Sequence, residues 1–197
     1  MGHREAPALI LASQSPRRRQ LLEMLAVPHQ VRPVSVDETP RPGEDPEHYV
    51  IRLAREKAVT GAERDSGSWV LGADTTVVIG GDLLGKPTTV DDAEGMLARL
   101  SGVQHDVITA VALARDGTVL ERVDRTTVWF GPLSPERIRA YVATGEPMDK
   151  AGAYGAQGLG AALIERIDGD FFSVMGLPVR LVVELLDQAG IAHTLTR

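Results

Sequence analysis

The chain has 197 residues, a net charge of −6 and no cysteine, and its hydrophobic and charged fractions are 43 % and 24 %. These values are typical of one globular domain. They argue against a nucleic-acid binder, which would carry a basic surplus, and against disulfides or a zinc–thiolate site. No apolar run approaches the roughly 20 residues of a membrane helix and no secretory signal is visible, so we expect a cytoplasmic protein with no membrane or nucleic-acid partner.

Strand and helix patterns follow one another along the whole chain. In chain order they predict a strand at 7–12, a helix from Pro16, an extended segment at 27–36, a loop at 38–44, a helix from Pro46, a strand at 69–79, a hairpin turn at 80–82, a helix after Thr89 to Leu100, a hairpin of 107–115 with 118–130, a helix after Ser134, a glycine-rich stretch at 152–160, strands at 161–167 and 171–174, and a helix at 177–188. Because hairpins interrupt the alternation, the pattern predicts an α/β fold with a mixed sheet.

A run of serines and arginines from Ser13 to Arg19 joins the first strand to the first helix. A helix N-terminus favours anions, and Ser13, Arg17 and Arg18 add hydroxyl and guanidinium donors that suit phosphate groups. The alternative is a capped helix with solvated arginines. Three consecutive cations at a helix end that repels them favour the anion site.

Asp74 lies inside the apolar strand at 69–79. A buried carboxylate needs an ionic partner or a metal. The position predicts either a Mg²⁺ ligand or a general base toward an attacking water. The alternative is a structural acid that caps a loop or pairs with a buried arginine.

Lysine is rare in this chain. Of the 21 lysine and arginine residues, only three are lysines: Lys57, Lys86 and Lys150. Lys57 shares the apolar face of the second helix, so it either snorkels to the surface or points into a site. Lys86, between Gly85 and Pro87, either reaches a phosphate or belongs to a plain surface turn. Glu38 is a candidate metal ligand or an ordinary exposed acid.

The glycine-rich stretch contains Gln157. Its backbone can approach a flat ligand closely, and the Gln157 amide can donate to and accept from a base edge. A flexible loop is the alternative. The five histidines show no metal-ligand spacing, and His105 is predicted to be structural or to support a residue of the site.

As an ordered set, these segments resemble the Maf family of nucleoside triphosphate pyrophosphatases, which is also named for inhibition of septum formation. The segments that carry the resemblance are LASxSPRR at 11–18, AREKA at 54–58, GADT at 72–75, GKP at 85–87, SGxxH at 101–105, DKAG at 149–152 and GLP at 176–178. The similarity covers residue 9 to about 190.

The resemblance implies a single domain over 1–197 with a mixed, curved β-sheet flanked by helices and two lobes around a cleft, as in the inosine-triphosphatase superfamily. It implies hydrolysis of a nucleoside triphosphate between the α- and β-phosphates, which gives the monophosphate and pyrophosphate. A divalent cation (Mg²⁺, or Mn²⁺ or Co²⁺) and a homodimer are also implied. The run at 149–155 resembles the branch that acts on dTTP and UTP, not the one that acts on 7-methyl-GTP.

The resemblance also implies roles for single residues. Asp74 would be the proton acceptor, with Lys57 and Lys86 as further catalytic residues. Glu38 and Asp74 would bind the metal. The substrate-binding residues would be Ser13, Arg17, Arg18, Thr75 and Gln157. The sequence leaves two rival functions open: a nucleotide-binding regulator of cell division with incidental hydrolysis, and a phosphoryl-transfer enzyme, against which the absence of a Walker A loop argues.

Overall fold

The computed structural model describes residues 9–196, which form seven strands and six α-helices; Pro7 and Ala8 of the first predicted strand lie outside the described residues. The strands are β1 (Leu9–Leu11), β2 (His29–Val31), β3 (Trp69–Ile79), β4 (Asp82–Leu84), β5 (Gln104–Arg115), β6 (Thr118–Phe130) and β7 (Ile164–Asp168). The helices are α1 (Pro16–Met24), α2 (Pro46–Arg64), α3 (Val90–Leu100), α4 (Pro135–Val142), α5 (Phe171–Met175) and α6 (Val179–Ala189).

The strands form one mixed sheet in the order β2-β1-β3-β5-β6-β7, with β4 paired to β3. β1 runs parallel to both neighbours, so that Leu9 lies opposite His29 on one side and Trp69 on the other. β4 is antiparallel to β3, and β7 is antiparallel to β6. The predicted mixed α/β fold is therefore confirmed. No helix within residues 9–196 has the length and apolar character needed to cross a membrane.

The chain folds into two compact units. Unit 1 comprises the residues up to Asp74, Thr109–Val123 and the residues from Gly176 onward; unit 2 comprises Thr75–Ile108 and Asp124–Met175. Strands β3, β5 and β6 each contribute residues to both units. The single-domain assignment over 1–197 stays a prediction.

Each unit has its own buried apolar side chains. In unit 1, β1 is fully buried, and the predicted inner face of α2 is confirmed at Val50, Leu53, Ala54 and Ala58. In unit 2, α3 and α4 pack with the sheet around Phe130.

The starts of α1 to α4 were predicted correctly because capping is local. Ser15 accepts a hydrogen bond from the backbone N–H of Arg18, and Asp45, Thr89 and Ser134 cap α2, α3 and α4 in the same way. These side chains satisfy N–H groups that the first helical turn leaves unpaired.

The predicted strand at 171–174 is wrong, because these residues form α5. Asp170 Oδ1 accepts hydrogen bonds from the N–H groups of Phe172, at 2.8 Å, and Ser173, at 3.3 Å, which starts a helical turn. Gly169, with φ +131°, turns the chain immediately before it. Within the predicted extended segment at 27–36, His29–Val31 pairs as strand β2.

Candidate active site

Unit 1 brings together a buried carboxylate and a lysine from different elements. Asp74 of β3 is 8 % exposed, and its Oδ1 lies 2.7 Å from Nζ of Lys57 on α2. The same Nζ lies 2.6 Å from Oε1 of Glu38, whose side chain is 56 % exposed. Lys57 therefore points into the site rather than snorkelling outward, and one ammonium group joins two carboxylates.

Close packing of α2 against β3 brings this pair together. A Cβ atom at Gly72 would lie 2.2 Å from the carbonyl oxygen of Ala54 and 2.6 Å from the nitrogen of Ala58. Only glycine permits this approach. Lys57 lies between those two alanines in sequence, and Asp74 follows Gly72 by two residues on the strand, so both side chains meet where helix and strand touch.

Arg18 of α1 lies in the same unit and is held by backbone. Its Nε donates to the carbonyl oxygen of Gly176 at 2.8 Å, and its Nη1 donates to that of Ala73 at 2.9 Å and to Oγ of Ser13 at 3.3 Å. Arg18 thus links α1, β3 and the segment before α6, and its charge favours the ionised form of Asp74.

The two serines of the first loop act as local hydrogen-bond acceptors. Ser13 Oγ accepts from the N–H of Ser15 at 3.2 Å, and Ser15 caps α1. Some of the backbone N–H groups at the predicted anion site therefore already have partners within the loop, as the capped-helix alternative requires. Arg17 is half-buried in the first turn. Phosphate binding by these residues stays a prediction.

Burial governs the electrostatics around Asp74. Desolvation raises the pKa of its carboxyl group above the ordinary value, against the opposing effects of Lys57 and Arg18. The pKa of Tyr49 is raised to about 12 by burial and by the negative charges of Asp74 and Glu38. A carboxylate with a raised pKa is a stronger proton acceptor than an exposed one, provided that it is ionised.

The remaining predicted site residues belong to unit 2. Thr75 follows Asp74 on β3 and is half-buried, whereas Lys86 and Gln157 are exposed in loops. The loop of Lys86 lies against the glycine-rich stretch, because the N–H of Gly152 donates to the carbonyl oxygen of Gly85 at 3.0 Å.

A residue that the sequence did not reveal organises the glycine-rich stretch. The carboxylate of Glu146 accepts hydrogen bonds from Tyr141 Oη at 2.8 Å, from the N–H of Leu159 at 2.8 Å and from that of Gly160 at 3.0 Å. A Cβ atom at Gly158 would lie 2.4 Å from Oε2 of Glu146. The stretch is therefore wrapped around a carboxylate, which the flexible-loop alternative did not anticipate. The repeated glycines of the stretch indicated that another group packs closely against its backbone, but they did not indicate that this group is Glu146.

His105 is buried among aromatic rings, and its predicted role as a structural or supporting residue stays a prediction. It is 3 % exposed in unit 2, its Nε2 lies 2.8 Å from Tyr154 Oη, and its ring meets those of Phe130 and Tyr154 edge to face. The third lysine, Lys150, bonds to the Glu146 carbonyl oxygen and to Asp149, each at 2.6 Å.

The donor set fits a hard divalent cation only together with a substrate. Among residues 9–196, no group of three or more histidine, aspartate or glutamate side chains converges as a metal cage. Glu38 and Asp74, however, already share one cationic group, the ammonium of Lys57. One or two carboxylates combined with substrate phosphates is the way in which proteins hold Mg²⁺.

The mixed sheet and the carboxylate–lysine–carboxylate cluster define the class as an α/β protein with an ionic site. A sequence model of the family described as Maf-like protein matches residues 8–189, and the chain belongs to this family. The chain is 50 % identical over 187 residues to the dTTP/UTP pyrophosphatase of Anaeromyxobacter sp. (strain Fw109-5), which covers 92 % of this chain and 89 % of that protein.

A second relative carries the same name. The dTTP/UTP pyrophosphatase of Symbiobacterium thermophilum is 51 % identical over 182 residues, with 92 % of this chain and 94 % of that protein covered. The solved structure of the Staphylococcus aureus Ham1 protein is similar over 80 % of this chain and 79 % of that one, with 14 % identity and a TM-score of 0.43, which is too distant to support a conclusion.

Proposed function

We propose that this chain hydrolyses dTTP and UTP to the nucleoside monophosphate and pyrophosphate, in a reaction that requires a divalent cation. The observation that carries the proposal is the buried Asp74 carboxylate, paired with Lys57 at 2.7 Å next to a second carboxylate. Relatives about 50 % identical over nearly their whole length, each named dTTP/UTP pyrophosphatase, support the choice of substrate.

In this function Asp74 accepts a proton from the attacking water. The water oxygen bonds to the α-phosphorus, the bond from that phosphorus to the bridging oxygen breaks, and pyrophosphate leaves. Lys57 and Arg18 favour the ionised carboxylate, which is the form that can accept a proton. Catalysis then depends on position and on neutralisation of charge, as is usual for phosphoryl chemistry.

The cation would be held by Glu38 and Asp74 together with substrate phosphates. Mg²⁺, with Mn²⁺ or Co²⁺ as alternatives, would neutralise the negative charge that accumulates on the phosphates. Asp74 is then either a ligand or a free base. In the first case Asp74→Asn weakens cation binding, and in the second it lowers turnover and leaves cation binding intact.

Further assignments belong to the proposal. The phosphate-binding residues would be Ser13, Arg17, Arg18 and Lys86, and the residues that select the base would be Arg17, Thr75 and Gln157. The net charge of −6 supports a protein that binds no nucleic acid. We propose a cytoplasmic homodimer that controls nucleotide pools; a role in septum formation would use the same nucleotide site.

A panel of nucleotides tests the proposal. The purified protein is incubated with dTTP, UTP, CTP, 7-methyl-GTP and modified pyrimidines, with Mg²⁺ or with EDTA, and the products are identified. We expect pyrophosphate and monophosphate from dTTP and UTP, and no reaction in EDTA. Release of orthophosphate, or a preference for 7-methyl-GTP, would contradict the proposal.

A further inference from the structure

The carboxylate of Glu38 is held close to Lys57 although Glu38 lies on an irregular segment. It lies in the segment between β2 and α2, which has no strand or helix, and its side chain is 56 % exposed. An exposed side chain on such a segment loses conformational entropy when it is held in one place. Its carboxylate nevertheless lies 2.6 Å from Nζ of Lys57. Other contacts must therefore stabilise the main chain around it.

Two side chains of α2 hydrogen bond to the backbone on both sides of Glu38 and at Glu38 itself. Tyr49 Oη donates to the carbonyl oxygen of Glu38 at 2.9 Å. Arg52, one helical turn later, donates from Nη2 to the carbonyl oxygen of Thr39 at 3.2 Å and from Nη1 to that of Asp37 at 3.4 Å. Three consecutive carbonyl groups are therefore held by one face of one helix.

Arg52 is itself fixed by Glu44, at the other end of the same segment. Its Nε lies 2.5 Å from Oε1 and its Nη2 lies 2.8 Å from Oε2, a bidentate pair. The two side chains are 12 % and 9 % exposed. The hydrogen bond from Arg52 lowers the pKa of Glu44 to about 2, so the pair is charged at neutral pH.

Helix α2 thus contacts both the side chain and the main chain at Glu38. Lys57 of α2 contacts its carboxylate, and Tyr49 and Arg52 contact its main chain. Because Gly72 lets α2 lie directly against β3, the position of Glu38 relative to Asp74 depends on these contacts.

We propose that Arg52 and Tyr49 are positioning residues that fix the main chain on which the Glu38 carboxylate is carried. The inference rests on the proposed function in one respect: Glu38 has to matter for cation binding or turnover. The structural part, that these side chains order the segment at 32–44, does not depend on any activity.

Hydrogen exchange followed by mass spectrometry tests the structural part. The variants are Tyr49→Phe, which removes one hydroxyl group, and the charge-neutral double variant Arg52→Gln with Glu44→Gln, which leaves no buried charge unpaired. Arg55→Gln is the control, because Arg55 lies on the same helix and pairs with Glu121 at an exposed site. We expect hydrogen exchange at 32–44 to be faster than in the wild-type protein in both test variants. In the control variant we expect the wild-type exchange rate. Unchanged exchange in both overturns the proposal.

Cation binding and kinetics test the functional part. Mn²⁺ binding in the presence of a non-hydrolysable nucleotide is measured by electron paramagnetic resonance, and the Mg²⁺ dependence of pyrophosphate release is measured in parallel. We expect the double variant to weaken cation binding about 10-fold, the loss typical when a group supporting a metal ligand is removed. Cation affinity equal to that of the wild-type protein would overturn the functional part.

A double-mutant cycle shows whether the effect passes through Glu38. In a Glu38→Gln background, we expect the Arg52 and Glu44 substitutions to have no further effect on cation affinity, since the carboxylate they position is gone. Effects that multiply would show that Arg52 acts elsewhere. If the wild-type protein released no pyrophosphate, the proposed function would fail while the exchange result would still decide the structural part.

Discussion

The carbonyl oxygen of Ala54 on α2 lies 2.2 Å from the point where a Cβ atom at Gly72 of β3 would stand. Real Cβ atoms essentially never approach this closely, and the neighbour is backbone rather than the end of a flexible side chain. Any side chain at 72 would therefore push the helix away from the strand, and with it Lys57 away from Asp74.

Gly72→Ala is expected to destabilise the protein by about 3 kcal/mol, as overpacking of a tightly packed core does. Urea unfolding measures this. Gly95→Ala is the matched control: a Cβ atom there has no neighbour within 4 Å, and alanine improves helix propensity, so α3 should gain up to about 1 kcal/mol. Equal stability of the two variants would contradict the packing account.

Asp74→Asn is expected to lower kcat by about 10²- to 10⁴-fold, the range for loss of a general base, while nucleotide binding is retained. Asp82→Asn is the control, because Asp82 pairs with Arg99 at an exposed site of β4. Steady-state kinetics and nucleotide titration separate the two quantities. Near-normal turnover of the Asn variant would exclude Asp74 as proton acceptor.

Lys57→Met should move the acid limb of the pH–rate profile to higher pH. Lys57 opposes the rise in the pKa of Asp74 that burial causes, so its loss raises that pKa further. The ionised base then forms only at higher pH. The measurement is kcat/KM against pH for the wild-type and variant proteins, and an acid limb that moves to lower pH would contradict the assignment.

His105 should make stability depend on pH. Burial lowers its pKa from 6.5 to about 4, so between those values the unfolded chain binds a proton that the folded chain does not. Stability is therefore complete above pH 6.5 and falls by about 3 kcal/mol as the pH drops to 4. Urea unfolding at several pH values should show this slope, and His105→Gln should reduce it.

Glu146→Gln should loosen the glycine-rich stretch that carries Gln157. A neutral amide is a weaker acceptor for the N–H groups of Leu159 and Gly160, and the expected loss of stability is about 1–3 kcal/mol. Hydrogen exchange at 155–161 should rise, and discrimination between dTTP and CTP should fall. Glu136→Gln, at an exposed pair on α4, should change stability by less than about 0.5 kcal/mol.

Much of the fold could be predicted because its signals are local. Ser15, Asp45, Thr89 and Ser134 cap helices through backbone groups only two or three residues away. The strand at 69–79 was predicted to its last residue. The α5 segment was predicted wrongly, since a β-branched and aromatic composition outweighed the local cap at Asp170.

The sequence pointed to individual residues of the candidate site but not to the contacts between them. Asp74 and Lys57 were singled out by an acid in an apolar strand and by a rare lysine on an apolar face. Their separation of 17 residues lies beyond any local rule, so their contact could not be derived. Phosphate binding by Arg18 stays a prediction, and the hydrogen bonds from its guanidinium to two main-chain carbonyls could not be derived from the sequence.

The sequence by itself determined most of the elements, the caps of α1 to α4, the mixed sheet and the residues that carry charge into apolar surroundings. Only the tertiary structure decided which groups meet: Lys57 with two carboxylates, Arg52 with Glu44, and Glu146 with the glycine-rich stretch. The physical reason is distance. Caps and turns are satisfied within one helical turn, whereas a buried charge is satisfied by whatever partner the packing of helix on strand brings within hydrogen-bonding reach.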